Sequence, residues 1–286
     1  MKVLERELEI ALDVIERCGR IALQIQAGGD ETLQTTDKAD DQGPVTRADL
    51  AVEKAIVETL REHFPNDAIL AEESAARSNW REHERVWMID PVDGTKDFAG
   101  GDPSWAIHVG LCIAGQPALG VVCEPGHKRV SWAINHQGTR RAWSRHDSEQ
   151  AEALHGVGIL SPIWRLVTSK SHRSERLDAI MARLGITPEQ TLRTASTGVK
   201  IAMVARGEAE FYAHPTLGTK LWDSAAPEVV LHAAGGRLTD MRGEELDYAG
   251  PEVNNAYGLL ASGRGVDHQQ LVERLRPLVD EWFSDR

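Results

Sequence analysis

The chain has 286 residues, 41% hydrophobic and 27% charged, enough apolar material for one large domain or two closely joined ones. Its formal net charge of −12 excludes attachment to a nucleic-acid polymer through bulk positive charge, while leaving room for a local basic pocket. No run reaches the ~20 apolar residues that a membrane span requires, and the three cysteines (Cys18, Cys112, Cys123) suggest neither a disulfide framework nor a thiolate metal motif, so a reduced, cytoplasmic protein is expected.

Residues 2–26 read as an amphipathic helix, with Leu4, Leu8, Ala11, Leu12, Ile15, Ala22 and Ile25 at helical spacing and Gly28-Gly29 as its stop. Its charged start lacks the apolar centre of a signal peptide. The polar stretch "DETLQTTDKADDQGP" reads as a loop or mobile hairpin ending at Gly43-Pro44, and a second helix starts near Thr46 and runs to about His63. "AILAEES", "RVWMID", "WAIHVGLCIAG", "PALGVVCEP" and "RVSWAIN" read as strands, the third and fourth joined by a hairpin at Gly115-Gln116-Pro117. From about residue 150 the pattern alternates. Strand "RLVTSK", helices "SERLDAIMARLG" and "GVKIAMVARG", strand "AEFYAH" and helix "DSAAPEVVLHAAGG" are followed by strands "GRLTD" and "AYGLLAS" and a closing helix "HQQLVERLRPLVDEWF". The expected division is residues 1–150, helices with an antiparallel sheet, and residues 151–286, an α/β half.

The chemistry concentrates in "VWMIDPVDGTKDF". Asp90 and Asp93 stand at the end of an apolar strand, where α/β sheets present ligands. Two carboxylates this close repel unless a cation lies between them, and Mg²⁺ takes such hard oxygen donors together with waters and phosphate. The backbone carbonyl of Val92 offers a further oxygen, Gly94 lets the backbone come close to an anion, and Thr95 adds a hydroxyl. Asp-Pro-x-Asp-Gly is also ordinary turn chemistry. A nucleophilic-aspartate phosphatase pattern fails on spacing, because Pro91 stands where the nucleophile would be. Glu72 and Glu73 end another apolar run. Asp223 opens a helix, where it would also serve as an N-cap, and Asp49 lies three residues after Thr46, as in a capping box.

Taken together, "PVTRADLAVE", "ILAEES", "WMIDPVDGTKDF" and "LWDSAAPEVVLHAAGG" resemble, in order and over nearly the whole chain, the Mg²⁺-dependent, lithium-sensitive phosphatases of the inositol monophosphatase superfamily. The resemblance implies a layered α/β/α/β/α sandwich of the inositol monophosphatase and fructose-1,6-bisphosphatase type. It implies two or three Mg²⁺ ions held by Glu72, Asp90, Asp93, Asp223 and the Val92 carbonyl. Asp93, Gly94 and Thr95 would contact the scissile phosphate, while Glu72 and Thr95, with Asp49 nearby, would position or deprotonate the attacking water.

Four further stretches resemble the 3′(2′),5′-bisphosphate nucleotidase branch. "KADDQGPVTRAD" is similar to its metal-proximal loop, "VTSKSHRSERL" places His172 near a nucleotide, "TASTGVKIAMVARGEAEFY" supplies Thr197 and Lys200, and "GEELDY" matches a motif of its second half. With Asp223 completing the substrate contacts, the resemblance implies a phosphomonoesterase acting on adenosine 3′,5′-bisphosphate, in sulfur metabolism. Each of these residues also has a plain reading: Lys200 as a solvated helix lysine, His172 as a loop histidine. Two departures stand out. No arginine follows Tyr212 in "YAHPTLGTK", where only His214 and Lys220 offer a charge, and "AGGDPSW" replaces the branch's Asn-Gly-Glu-Phe. The alternative is an inositol or related sugar monophosphatase. A small phosphorylated metabolite is the expected partner, and a homodimer is compatible with the sequence.

Overall fold

The structure, a computed structural model, describes residues 3–37, 44–77, 79–154, 164–170 and 174–284. It begins with α1 (Glu5–Ala27), the short α2 (Asp30–Leu33), the antiparallel pair β1 (Thr36–Asp37) and β2 (Pro44–Val45), and α3 (Arg47–His63). Seven strands form the larger sheet: β3 (Ala68–Ala71), β4 (Arg85–Asp93), β5 (Ala106–Ile113), β6 (Gln116–Glu124), β7 (Arg129–His136), β8 (Thr139–His146) and β9 (Glu152–Ala153), in that spatial order. The five-residue α4 (Thr95–Ala99) lies between β4 and β5. Only β3 runs parallel to its neighbour; the other pairs are antiparallel.

The rest of the chain gives β10 (Leu166–Ser169), α5 (Glu175–Leu184), β11 (Thr191–Thr194), α6 (Thr197–Ala205), β12 (Phe211–His214), α7 (Leu221–Ala234), β13 (Arg237–Thr239), β14 (Leu259–Ser262) and α8 (His268–Trp282). Its strands form a second sheet in the order β11-β10-β12-β14-β13.

Five layers result. α1 and α3 cover one face of the large sheet, burying Val14, Ile15, Val52 and Ile56 against Trp87, Val109 and Val121. Each such side chain, fully buried, stabilises the fold by about 1.5–3 kcal/mol. α6 and α7 fill the middle, between the two sheets, and α5 and α8 cover the far face of the small sheet through Ile180, Leu271 and Leu275. This is the α/β/α/β/α sandwich expected. α7 is apolar almost all round because both its sides are covered. It lies close on the sheet at Gly120, where a Cβ would stand 2.2 Å from the Ala226 carbonyl oxygen.

The differences from the sequence reading have simple causes. β8, "TRRAWSRH", exposes much of its length near the edge of the sheet and carries too few apolar residues to read as a strand. β11 is a short polar edge strand. The first hairpin turns at Ala114-Gly115, and Gln116 and Pro117 already pair, with Ile113 and Cys112.

Candidate active site

Two structural devices bring the acidic residues together. β3 is parallel to β4, so Glu72, directly after β3, emerges beside the end of β4. On β4, Asp90 pairs with His108 and Asp93 with Ala106, so the register shifts between the two aspartates. Residues three apart on a regular strand point to opposite faces, and this bulge returns both carboxylates to one side. One ligand atom each from Asp90, Asp93 and His108 lie within 4.8 Å of one another. Asp223 comes from the first turn of α7, where its Oδ2 accepts the Lys220 backbone N–H at 2.6 Å. It is therefore the third residue of the helix, and Lys220, not Asp223, holds the N-cap position.

Asp90 is 1% exposed, and its Oδ1 accepts the Val92 N–H at 3.0 Å. Burial drives its carboxyl well above the usual range, and Glu72, Asp93 and Asp223 push it the same way. Burial first, and then Asp93, raises Asp223 to about 7. Lys200 faces Asp93 and Asp223, yet burial lowers its own ammonium to about 8. Four converging carboxylates with this little internal compensation form a hard, all-oxygen donor set that fits a divalent cation of the Mg²⁺ class.

Asp93 divides its two oxygens. Among the described residues its contacts fall on Oδ2, from Ser196 Oγ at 2.5 Å, Gly198 N–H at 2.8 Å and His108 Nε2 at 3.4 Å. Ser196 caps α6 and holds Asp93 with the same hydroxyl. Thr95 Oγ1 lies 3.1 Å from Asp49 Oδ1 and 2.9 Å from the Val92 carbonyl, so its single proton has two acceptors. Asp49 is fully buried and builds the capping box of α3, accepting Thr46 N–H at 2.7 Å and Thr46 Oγ1–H at 2.6 Å. Burial raises its carboxyl above the usual range, and the Thr46 hydrogen bonds oppose this.

A cavity of about 350 Å³ opens over these groups, lined by Glu72, Asp93, Gly94, Thr95 and Asp223 on the acidic side and by Thr197, Lys200, Tyr212 and His214 on the other. Over residues 4–280 the sequence matches the inositol monophosphatase family. The chain belongs to the inositol monophosphatase family. It is 31% identical over 243 residues to the 3′(2′),5′-bisphosphate nucleotidase CysQ of Salmonella typhimurium, an alignment covering 84% of this chain and 93% of that one. It is also 31% identical over 242 residues to the histidinol-phosphatase of Mycobacterium tuberculosis, covering 84% and 87%. The solved structure of an IMPase from Thermotoga maritima shares the fold, with a TM-score of 0.77 at 22% identity and coverage of 96% and 99%. As a member of this family the protein is a phosphoric monoester hydrolase.

Within this family member, Asp90 and Val92 sit behind the cavity wall, each 1% exposed. Lys200 is no solvated helix lysine: it is 3% exposed, donates to the Ala195 carbonyl at 2.6 Å and lies 5.3 Å from the Tyr212 ring centroid. His172 lies outside the described residues. Lys220 turns away, its ammonium 5.1 Å from the Trp222 ring. Sequence reasoning missed Ser196, Gly198, His108 and Lys96, the last a cation on the cavity wall. Ser196 was within reach as a helix N-cap before "TGVKIAMVA". His108 gave no signal, being one histidine in an alternating strand.

Proposed function

We propose that the protein is a Mg²⁺-dependent phosphomonoesterase that hydrolyses the 3′-phosphate of adenosine 3′,5′-bisphosphate to AMP and phosphate. The observation that carries the reading is the convergence of Glu72, Asp90, Asp93 and Asp223 beside a cavity whose opposite wall holds the buried Lys200. Glu72, Asp90, Asp93, Asp223 and the Val92 carbonyl would hold the ions. When bound, Mg²⁺ supplies positive charge to the phosphoryl and leaving oxygens and lowers the pKa of water. Thr95 presents its hydroxyl to the attacking water, and Asp49, a stronger base than an exposed aspartate, holds that hydroxyl from behind. Glu72, Asp93, Gly94 and Thr95 line the same cavity, and in this reading Asp93, Gly94 and Thr95 would contact the scissile phosphate. Thr197, Lys200 and, by the resemblance, His172 are the nucleotide contacts of this reading, and the similarity to a bisphosphate nucleotidase supports them.

A specific observation favours a second reading, a monophosphatase for inositol, a related sugar or another small alcohol. A second phosphate would meet no arginine in the stretch after Tyr212: Lys220 packs on Trp222, and Thr216 Oγ1 is 3.2 Å from His214 Nε2. Phosphate release with and without Mg²⁺ decides between them, using adenosine 3′,5′-bisphosphate, inositol monophosphate, histidinol phosphate and fructose 1,6-bisphosphate. The expected result is strictly Mg²⁺-dependent release with the highest kcat/KM for the nucleotide. A higher kcat/KM for any of the others overturns the substrate, and release without divalent cation overturns the metal.

A further inference from the structure

The motif "GEELDY" lies outside the cavity. Tyr248 is 1% exposed and donates its hydroxyl to Glu228 Oε2, in the second turn of α7, at 2.6 Å. The chain then returns to the start of the same helix. Leu221 N–H donates to the Val253 carbonyl at 2.9 Å, and Asn254 forms an isolated antiparallel bridge with Lys220. Asn255, 5% exposed, closes the grip. Its backbone N–H donates to the Thr219 carbonyl at 2.9 Å, and its side-chain amide reaches the Lys220 carbonyl at 3.0 Å, Thr219 Oγ1 at 3.2 Å and Ser224 Oγ at 3.4 Å.

This grip is needed because of what occupies the N-cap. Most helices begin on a side chain that accepts a hydrogen bond, whereas Lys220 carries an ammonium with no acceptor, and α7 has no side-chain cap hydrogen bond. The backbone of Lys220 must nevertheless be fixed, since its N–H, 2.6 Å from Asp223 Oδ2, aims that carboxylate. The residues that Asn255 holds, Thr219, Lys220 and Ser224, flank Asp223 on both sides in sequence.

We propose that Asn255 is a positioning residue for Asp223: its side-chain amide fixes the Lys220 carbonyl and the Thr219 and Ser224 hydroxyls and thereby sets the carboxylate's place in the cation site. The proposal rests on the metal-dependent reading above. Outer partners of metal ligands typically change metal affinity by about 10- to 100-fold when removed, and that is the effect expected here.

The test is calorimetric titration of Mn²⁺ and Mg²⁺ into the metal-free protein without substrate, for wild type and Asn255→Ala, alongside phosphate release. The expected result is a metal Kd raised by about 10- to 100-fold. The half-saturating Mg²⁺ concentration for turnover should rise by the same factor, with KM at saturating Mg²⁺ unchanged. A variant that melts at lower temperature but binds metal like wild type assigns Asn255 to stability alone and overturns the proposal. If Asn255→Ala does not fold, Asn255→Ser decides. Its hydroxyl replaces one of the donors, so a smaller rise in Kd supports the proposal and an unchanged Kd overturns it. Wild-type protein that binds neither ion removes the metal-dependent reading and this proposal together, an outcome distinct from a variant-specific null.

Discussion

Gly198 provides a sharp test of how the site is held. A Cβ added there would stand 1.9 Å from His108 Nε2 and 2.5 Å from its Cε1. The His108 ring is fully buried, with Asp93 Oδ2 3.4 Å from one nitrogen and the Trp222 carbonyl 3.4 Å from the other, so it has little room to retreat. In Gly198→Ala either the ring or the start of α6 must shift, and the second choice breaks the 2.8 Å hydrogen bond from Gly198 N–H to Asp93. Overpacking costs about 1–3 kcal/mol and a lost hydrogen bond to a charged group about 1.5–3, against a gain of about 1 from alanine's helix propensity. With the ring held in place the start of α6 shifts and both costs apply, so the net loss expected from urea unfolding is about 1.5–5 kcal/mol. Phosphate release should fall as well, because Asp93 loses a fixed donor. The double variant His108→Ala/Gly198→Ala removes the obstructing ring and should recover about 1–3 kcal/mol relative to the two single effects added. A Gly198→Ala protein as stable as wild type, or a double variant showing no coupling, refutes the account.

Asp90→Asn and Asp93→Asn should each abolish Mg²⁺-dependent phosphate release while leaving the fold intact by circular dichroism; full activity in either sinks the cation assignment. In metal-free protein the raised carboxyls of Asp90 and Asp223 mean that the folded state binds more protons than the unfolded chain. The contribution of Asp223 is fully present below the unfolded value of ~4 and is lost as the pH rises through about 7, and the raised Asp90 carboxyl acts in the same sense. His232 and His268, lowered to about 4, act in the opposite sense, so the carboxyl contribution is isolated by comparing wild type with Asp223→Asn. In chelator, wild type should lose stability relative to Asp223→Asn as the pH rises from ~4 through about 7, and Mg²⁺ should remove the loss; parallel curves would contradict this. Lys200→Ala should lower kcat/KM for the nucleotide by about 10- to 100-fold, the loss of a charged hydrogen-bond donor, with much less effect on inositol monophosphate. Equal losses would make Lys200 structural. Li⁺, a small cation of single charge that oxygen sites accept, should inhibit at millimolar concentration; insensitivity counts against the cation site.

What the sequence shows and what it conceals follow from distance along the chain. Glu72, Asp90, Asp93 and Thr95 are legible because each stands at the end of an apolar run, where a carboxylate or hydroxyl needs a reason. Asp223 is legible because it opens an apolar helix ending in two glycines. Thr46 and Asp49 read correctly as a capping box, and the structure adds the reach of Asp49 to Thr95, 46 residues away. Residues acting only across space are silent: His108 reaches the Trp222 carbonyl, and Asn255 reaches Lys220, through contacts that no local pattern encodes. Lys200 shows the same limit in reverse, since helical spacing cannot tell a solvated lysine from one enclosed between two sheets.

The nine-residue α6 interleaves two duties. Its cap Ser196 and its Gly198 N–H serve Asp93, while Thr197 and Lys200 face the cavity. If the proposed reading holds, exchanging the side chains at 197 and 200 should shift substrate preference while Asp93 keeps its donors. Inserting or deleting a single residue here would rotate the helix and disturb both duties at once. Divergence towards new substrates from this scaffold should thus proceed by substitution in α6 and leave its length and phase alone.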